Sequence, residues 1–227
     1  MRMLRRPSTV ISLPCPTQYQ PQRMGNMYTL DQLFQMEEIQ RKKEQGKDPD
    51  PAVWRWSPFD IRVFDEMLQK ACDLAVREQA AREEYGTLSY VEAGSGIGTK
   101  VYWAEHEYHL IATGYEINDE YLAMSRQLGV TVIPMDLSDL DNQPVWQAYQ
   151  IVYSARMFKD DVFQAKWEQN LQHALYPGTV LMMTYAASKP YDWPCYLRAP
   201  WRGVWVKPLP GKAYTPSTER LISLSAG

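Results

Sequence analysis

Cysteine is scarce in this 227-residue chain. Only Cys15, Cys72 and Cys195 occur, an odd number, widely spaced and without a C-x-x-C pair. That argues against a disulfide scaffold or a cysteine zinc site and fits a reducing compartment, so a cytoplasmic location is expected. Histidine is equally rare: His106, His109 and His173 show no metal-binding spacing, and no metal is expected. No apolar run approaches the roughly 18 residues that span a bilayer, so no membrane partner is expected. The basic start, MRMLRRPSTVISLPCP, is unlike a secretory leader, because its apolar part is short and broken by Pro14 and Pro16. There is no internal repeat.

What is present fits a soluble globular protein with one core. Apolar residues make up 45% and charged residues 22%, both ordinary values. Aromatics are plentiful, with eight Trp and fifteen Tyr, and packing is the first use of such rings. Charge is unevenly spread. Residues 1–30 hold four Arg and no acid, and residues 187–227 hold six bases against two acids. Between them, residues 87–186 hold twelve acids against five bases. Basic ends around an acidic middle suit an anionic partner near the ends, or simply scattered surface charge.

Three segments follow from pattern. Residues 1–26, rich in Pro, Gln, Arg and Ser, read as a flexible basic tail. Residues 27–86 read as a helical N-terminal cover. Within it, 29–44 carries apolar residues near helical spacing, and GKDPDP then breaks the helix. A longer helix follows, with Ser57 as its N-cap and Pro58 in its first position. Its face would be Ile61, Phe64, Met67, Leu68, Ala71 and Leu74. From residue 87 to 227 strands and helices alternate. LSYVEA, HLIATGYEI, VTVIPM, YQIVYSA and TVLMMTYAA read as strands, with helices between them. WRGVWVKP and TERLISLS would add two more. The expected class is α/β: three layers around a doubly wound, mainly parallel sheet of about seven strands, with a helical N-terminal extension.

In such a fold, ligands bind at the carboxyl ends of the strands. Here the first strand ends in VEAGSGIGTK, an acid followed by three alternating glycines at 94, 96 and 98. Glycine weakens regular structure, so this spacing implies close approach of the backbone to something. A dinucleotide fingerprint, G-x-G-x-x-G, matches at Gly94 and Gly96, and Glu116 suits a ribose. But its third glycine would fall on Thr99, and Glu92 would repel a pyrophosphate.

EAGSGIG, residues 92–98, resembles the first motif of the class I S-adenosylmethionine methyltransferases, an acid followed by GxGxG. The resemblance runs over roughly residues 57–186. It implies a Rossmann-like methyltransferase domain over 87–227 that binds S-adenosyl-L-methionine. Implied cofactor contacts are Glu92, Gly94, Ser95, Gly96, Gly98 and Tyr153, with Glu92 toward the cationic side. Glu116 matches the family acid on the ribose hydroxyls, with Ile117 beside the adenine. Asp136 matches the residue near the adenine amino group, with Leu137 packing on the ring. YPGTVLMM and SPFD are further points of likeness.

The residues after the fourth strand usually sit at the methyl group, so Tyr153, Ser154, Arg156 and Lys159 are the candidates for catalysis and acceptor binding. No Asn/Asp/Ser-Pro-Pro-Tyr/Phe tetrapeptide occurs, so amino-methylation of nucleic acid bases has no motif in support. Pro14-Cys15 and Pro194-Cys195 lie outside the order used by cytosine-C5 enzymes. A nucleic acid acceptor is possible but has no signature. Trp54, Trp56, Trp193 and Trp201 are material for a lid. Two other readings stand beside methyl transfer: a SAM-binding sensor or partner subunit without transfer activity, and an NAD(P)-dependent oxidoreductase.

Overall fold

The computed structural model describes residues 28–45, 60–190, 192–199 and 201–214. The basic tail, Ser57, Pro58, Trp54, Trp56 and TERLISLS lie outside these. The elements run in chain order as α1 (Leu30–Gln45), α2 (Ile61–Ala81), β1 (Ser89–Ala93), α3 (Thr99–His106) and β2 (Ile111–Glu116). There follow α4 (Asp119–Leu128), β3 (Val132–Pro134), β4 (Ile151–Ala155), α5 (Asp161–Ala174), β5 (Val180–Thr184), β6 (Cys195–Ala199) and β7 (Arg202–Val206).

The strands form one seven-stranded sheet in the order β3-β2-β1-β4-β5-β7-β6. β3, β2, β1, β4 and β5 are parallel, and β7 runs antiparallel to both β5 and β6. Successive strand residues turn to opposite faces, and both faces are covered. On one face Tyr90, Ile151, Tyr153, Val180 and Met182 pack with α2 and α3. On the other, Val91, Val152, Leu181 and Met183 pack with Trp146, Trp167 and Leu171.

The apolar stripe of α2 is the one the sequence predicts. Its start is not. The helix begins at Ile61, capped by Asp60, which accepts from the Arg62 N–H at 3.0 Å. A cap at Ser57 is therefore corrected by three residues, because the Asp60 carboxylate satisfies an orphan donor of the first turn. α4 follows its signals, with Asn118 as N-cap and Gly129 as a left-handed C-cap. β6 is the strand that the sequence does not announce. It is mostly half-buried at the sheet edge, so Cys195–Ala199 lacks an alternating pattern.

Candidate functional site

β1 has β2 on one side and β4 on the other, and this is where strand order reverses. The crevice outside β1 and β4 is therefore the expected ligand site. The glycine loop leaves β1 there. Gly94, Gly96 and Gly98 all have positive φ (67°, 56° and 84°), which L side chains rarely adopt. A Cβ on Gly94 would also lie 2.8 Å from Met157 Sδ, in the segment after β4. So Gly94 and Met157 face each other across the reversal point, a pairing the sequence does not disclose.

The loop is held from β2. The Ser95 N–H donates to the Tyr115 carbonyl at 2.9 Å, and the Gly96 N–H donates to Glu116 Oε2 at 2.8 Å. Glu116 Oε1 accepts from the N–H groups of Ile117 and Asn118, each at 2.9 Å. Glu116 is thus fixed at the rim with both oxygens oriented, and a carboxylate in that state can still accept further donors. Ile117 is exposed beside it. Asp136 is exposed, and its Oδ1 accepts from the Ser138 N–H and hydroxyl at 2.8 and 2.6 Å. Leu137 is buried.

Glu92 lies beneath the loop and is 2% exposed. Burial pushes its carboxyl up to about 8; Lys100 opposes that shift, and Glu37 and Glu116 add to it. Lys100 Nζ stands 4.0 Å from Glu92 Oε1 and donates to Glu37 Oε1 at 3.1 Å. Burial works against the Lys100 charge, but Glu37 and Glu92 outweigh it and hold the ammonium above the ordinary lysine range. Glu37 comes from α1 and also accepts from the Thr99 hydroxyl. Sequence reasoning misses Glu37 and Lys100. Glu37 is one acid among several on a charged helix, and only the docking of α1 buries it.

The candidates after β4 divide. Tyr153 is fully buried, 5.3 Å edge-on from Phe64, and its hydroxyl pairs with Thr184 Oγ1 at 3.1 Å. Burial drives its phenol far above the usual range. Ser154 is fully buried too and donates to the Ala155 carbonyl. Arg156 pairs with Asp161 and donates to the carbonyls of Phe158 and Lys159. The strand end itself is anchored by a residue not anticipated, Gln164 of α5. Its Oε1 accepts from the N–H groups of Met157 and Phe158 at 3.1 and 2.8 Å. Its Nε2 donates to Glu168 at 2.7 Å, and Glu168 accepts from the Ser188 N–H beyond β5. An i, i+4 polar pair on an amphipathic helix is the only trace of this in the sequence.

Trp193 packs against the β1–β4–β5 face that holds Trp205, and Trp201 against the other. Trp201 stacks on Tyr185 with ring centres 5.4 Å apart, just past the end of β5. Tyr185 is 52% exposed and has a φ of 53°, so an exposed ring stands at the carboxyl end of the sheet, backed by the partly buried Trp201.

No protein-family model and no curated protein matches the chain. Among solved structures it is similar to an RNA methyltransferase from Salinibacter ruber in complex with S-adenosyl-L-homocysteine. The TM-score is 0.51 at 18% identity, over 69% of this chain and 98% of that one. The chain has the methyltransferase fold. Two further neighbours score below 0.5 and carry no weight. TrmN from Thermus thermophilus gives 0.40 at 12% identity, over 60% of this chain and 48% of that one. DesVI from Streptomyces venezuelae gives 0.37 at 19%, over 57% and 58%.

Proposed function

We propose that the chain binds S-adenosyl-L-methionine at the carboxyl ends of β1 and β2 and transfers its methyl group to an acceptor. The observation that carries this is the union of a left-handed glycine loop with two acids, Glu92 beneath it and Glu116 hydrogen-bonded to it at Gly96. The donor set fits the cofactor. Glu116 and Asp136 are acceptors suited to hydroxyl and amino groups, Leu137 and Ile117 offer apolar surface, and Glu92 is an acid suited to a cation. The same set disfavours a diphosphate. The Thr99 hydroxyl, at the start of α3, already donates to the Glu37 carboxylate, so it is not open to a phosphate.

The bound cofactor supplies an electrophilic methyl group on a sulfonium. This chain's part is to orient that group and hold the acceptor in line with it while water is excluded. Tyr153 and Ser154 are too deeply buried, and Arg156 too fully engaged, to take a proton from an acceptor. Catalysis then rests on alignment, and the acceptor meets the segment Met157–Lys159 and the Tyr185–Trp201 pair. The same engagement of Tyr153, Ser154 and Arg156 favours, as a second reading, a SAM-binding subunit without transfer. Labelled methyl arriving on any acceptor would sink that second reading.

Calorimetric titration with S-adenosylmethionine, S-adenosylhomocysteine and NAD tests the proposal. The first two should bind, and Glu116→Ala should weaken both by about tenfold or more, the loss expected when an oriented charged acceptor is removed. Binding of NAD alone would overturn the reading.

A further inference from the structure

Three charged side chains meet under the glycine loop, each from a different element. Glu37 arrives on α1, Glu92 on β1 and Lys100 on α3. All three are buried, at 0%, 2% and 5% exposure. Charge buried this deeply is costly unless it is paired, and two carboxylates face one ammonium. Their oxygens are also under-used. Among the described residues, Glu37 Oε2 and Glu92 Oε2 have no hydrogen-bond partner, and neither do Tyr90 Oη and Ser95 Oγ, which flank Glu92 in the sequence. Two orphaned carboxylate oxygens, on the two acids that face one ammonium, call for an explanation. From Tyr90 to Ala104 every residue is buried except Gly94, which is the part of the loop that meets solvent.

We propose that Glu37 of α1 belongs to the ligand site: with Glu92 and Lys100 it forms a receptor for a single ammonium group, whose entry displaces a proton from Glu92. This rests on the reading that the site takes an S-adenosyl amino acid, and it adds a residue and a proton balance that the family resemblance does not contain. The charges close. Without ligand, Glu37 is matched by Lys100, and Glu92 carries its proton. With ligand, the incoming ammonium supplies the second positive charge, and Glu92 releases its proton to solvent. The groups that bear on Glu92 are Lys100 from α3, Glu37 from α1, Glu116 from the end of β2, Tyr90 on its own strand and Tyr153 on β4. Lys100 alone among them favours its ionisation, so a second cation is what would tip it.

The experiment compares S-adenosylhomocysteine with 5′-methylthioadenosine, which lacks the amino acid part and its ammonium. Titration at pH 7 in buffers of differing ionisation enthalpy reads the protons exchanged. S-adenosylhomocysteine should release close to one proton, because Glu92 with a value of about 8 is protonated at that pH. Methylthioadenosine should release none. Glu37→Gln should weaken S-adenosylhomocysteine by about tenfold or more and leave methylthioadenosine nearly unchanged. Unchanged methylthioadenosine binding also certifies that the variant is folded. Equal losses for both ligands, or binding of S-adenosylhomocysteine without proton release, would overturn the proposal while leaving the cofactor reading intact. Failure of the native protein to bind either ligand would instead overturn the cofactor reading, and this inference with it.

Discussion

Glu92 shows what one buried carboxyl does to the whole protein. Its value is raised from an ordinary 4.5 to about 8, chiefly by burial. A raised folded value means that the folded state keeps a proton the unfolded chain gives up. The stabilising contribution is then complete below about 4.5 and is lost as pH rises through about 8. In the absence of ligand, stability should fall across that window by up to about 1.4 kcal/mol per pH unit from this group. Glu92→Gln abolishes that dependence. Urea unfolding at pH 5.5 and pH 8 should show the variant gaining on the native protein at the higher pH, and a pH-independent difference between the two would refute the assignment. At this scale the sequence was informative where chemistry is local. That a glycine turn follows β1 and that Glu116 closes β2 was legible, because three alternating glycines after a strand point to a turn with unusual backbone angles. Glu37, Lys100 and Met157 were not, because their importance lies in contacts between segments far apart in the chain.

Among the elements, α5 has the clearest double duty. One face packs Trp167 and Leu171 against the sheet, and the buried Gln164 and Glu168 tie the segment after β4 to the one after β5. Gln164→Ala would leave the Met157 and Phe158 N–H groups without their acceptor, at a cost of about 1–3 kcal/mol. Thermal unfolding should register the loss, and amide exchange at 157 and 158 should quicken more than in β1. Protection there equal to the native protein's would show that Gln164 does not hold this segment. Helix and strand limits were legible to within a few residues wherever apolar period and caps agreed, as in α4. They failed at α2, where two good cap residues compete within four positions, and at β6, where an edge strand has no inward face to display.

The whole molecule is more unified than its sequence suggests. Read by pattern, residues 27–86 look like a cover placed over a separate domain. In the fold, α2 sends Ile61, Phe64, Met67 and Leu68 into the same core as Tyr90, Tyr153 and Met182. α2 is part of one layer of the sandwich, with α3. A fragment limited to residues 87–227 would expose that face of the sheet to water, and burial of apolar area is what chiefly drives folding. It should show no cooperative thermal transition by circular dichroism, and a sharp one would mean that the helices before residue 87 are dispensable. The last described segment is drawn in as well. Lys212 and Tyr214 both donate to the buried Glu78 of α2, at 2.9 and 3.0 Å.

The order of strands at the far edge also sets an order of events. β7 lies between β5 and β6, yet β6 is made first. Cys195–Ala199 has no place of its own on the sheet, because the strand it pairs with, β7, comes after it in the chain. β6 therefore joins the sheet only through Arg202–Val206, which seats against β5. The edge is thus laid down out of chain order, and until β7 is seated β5 presents an open strand to any passing chain.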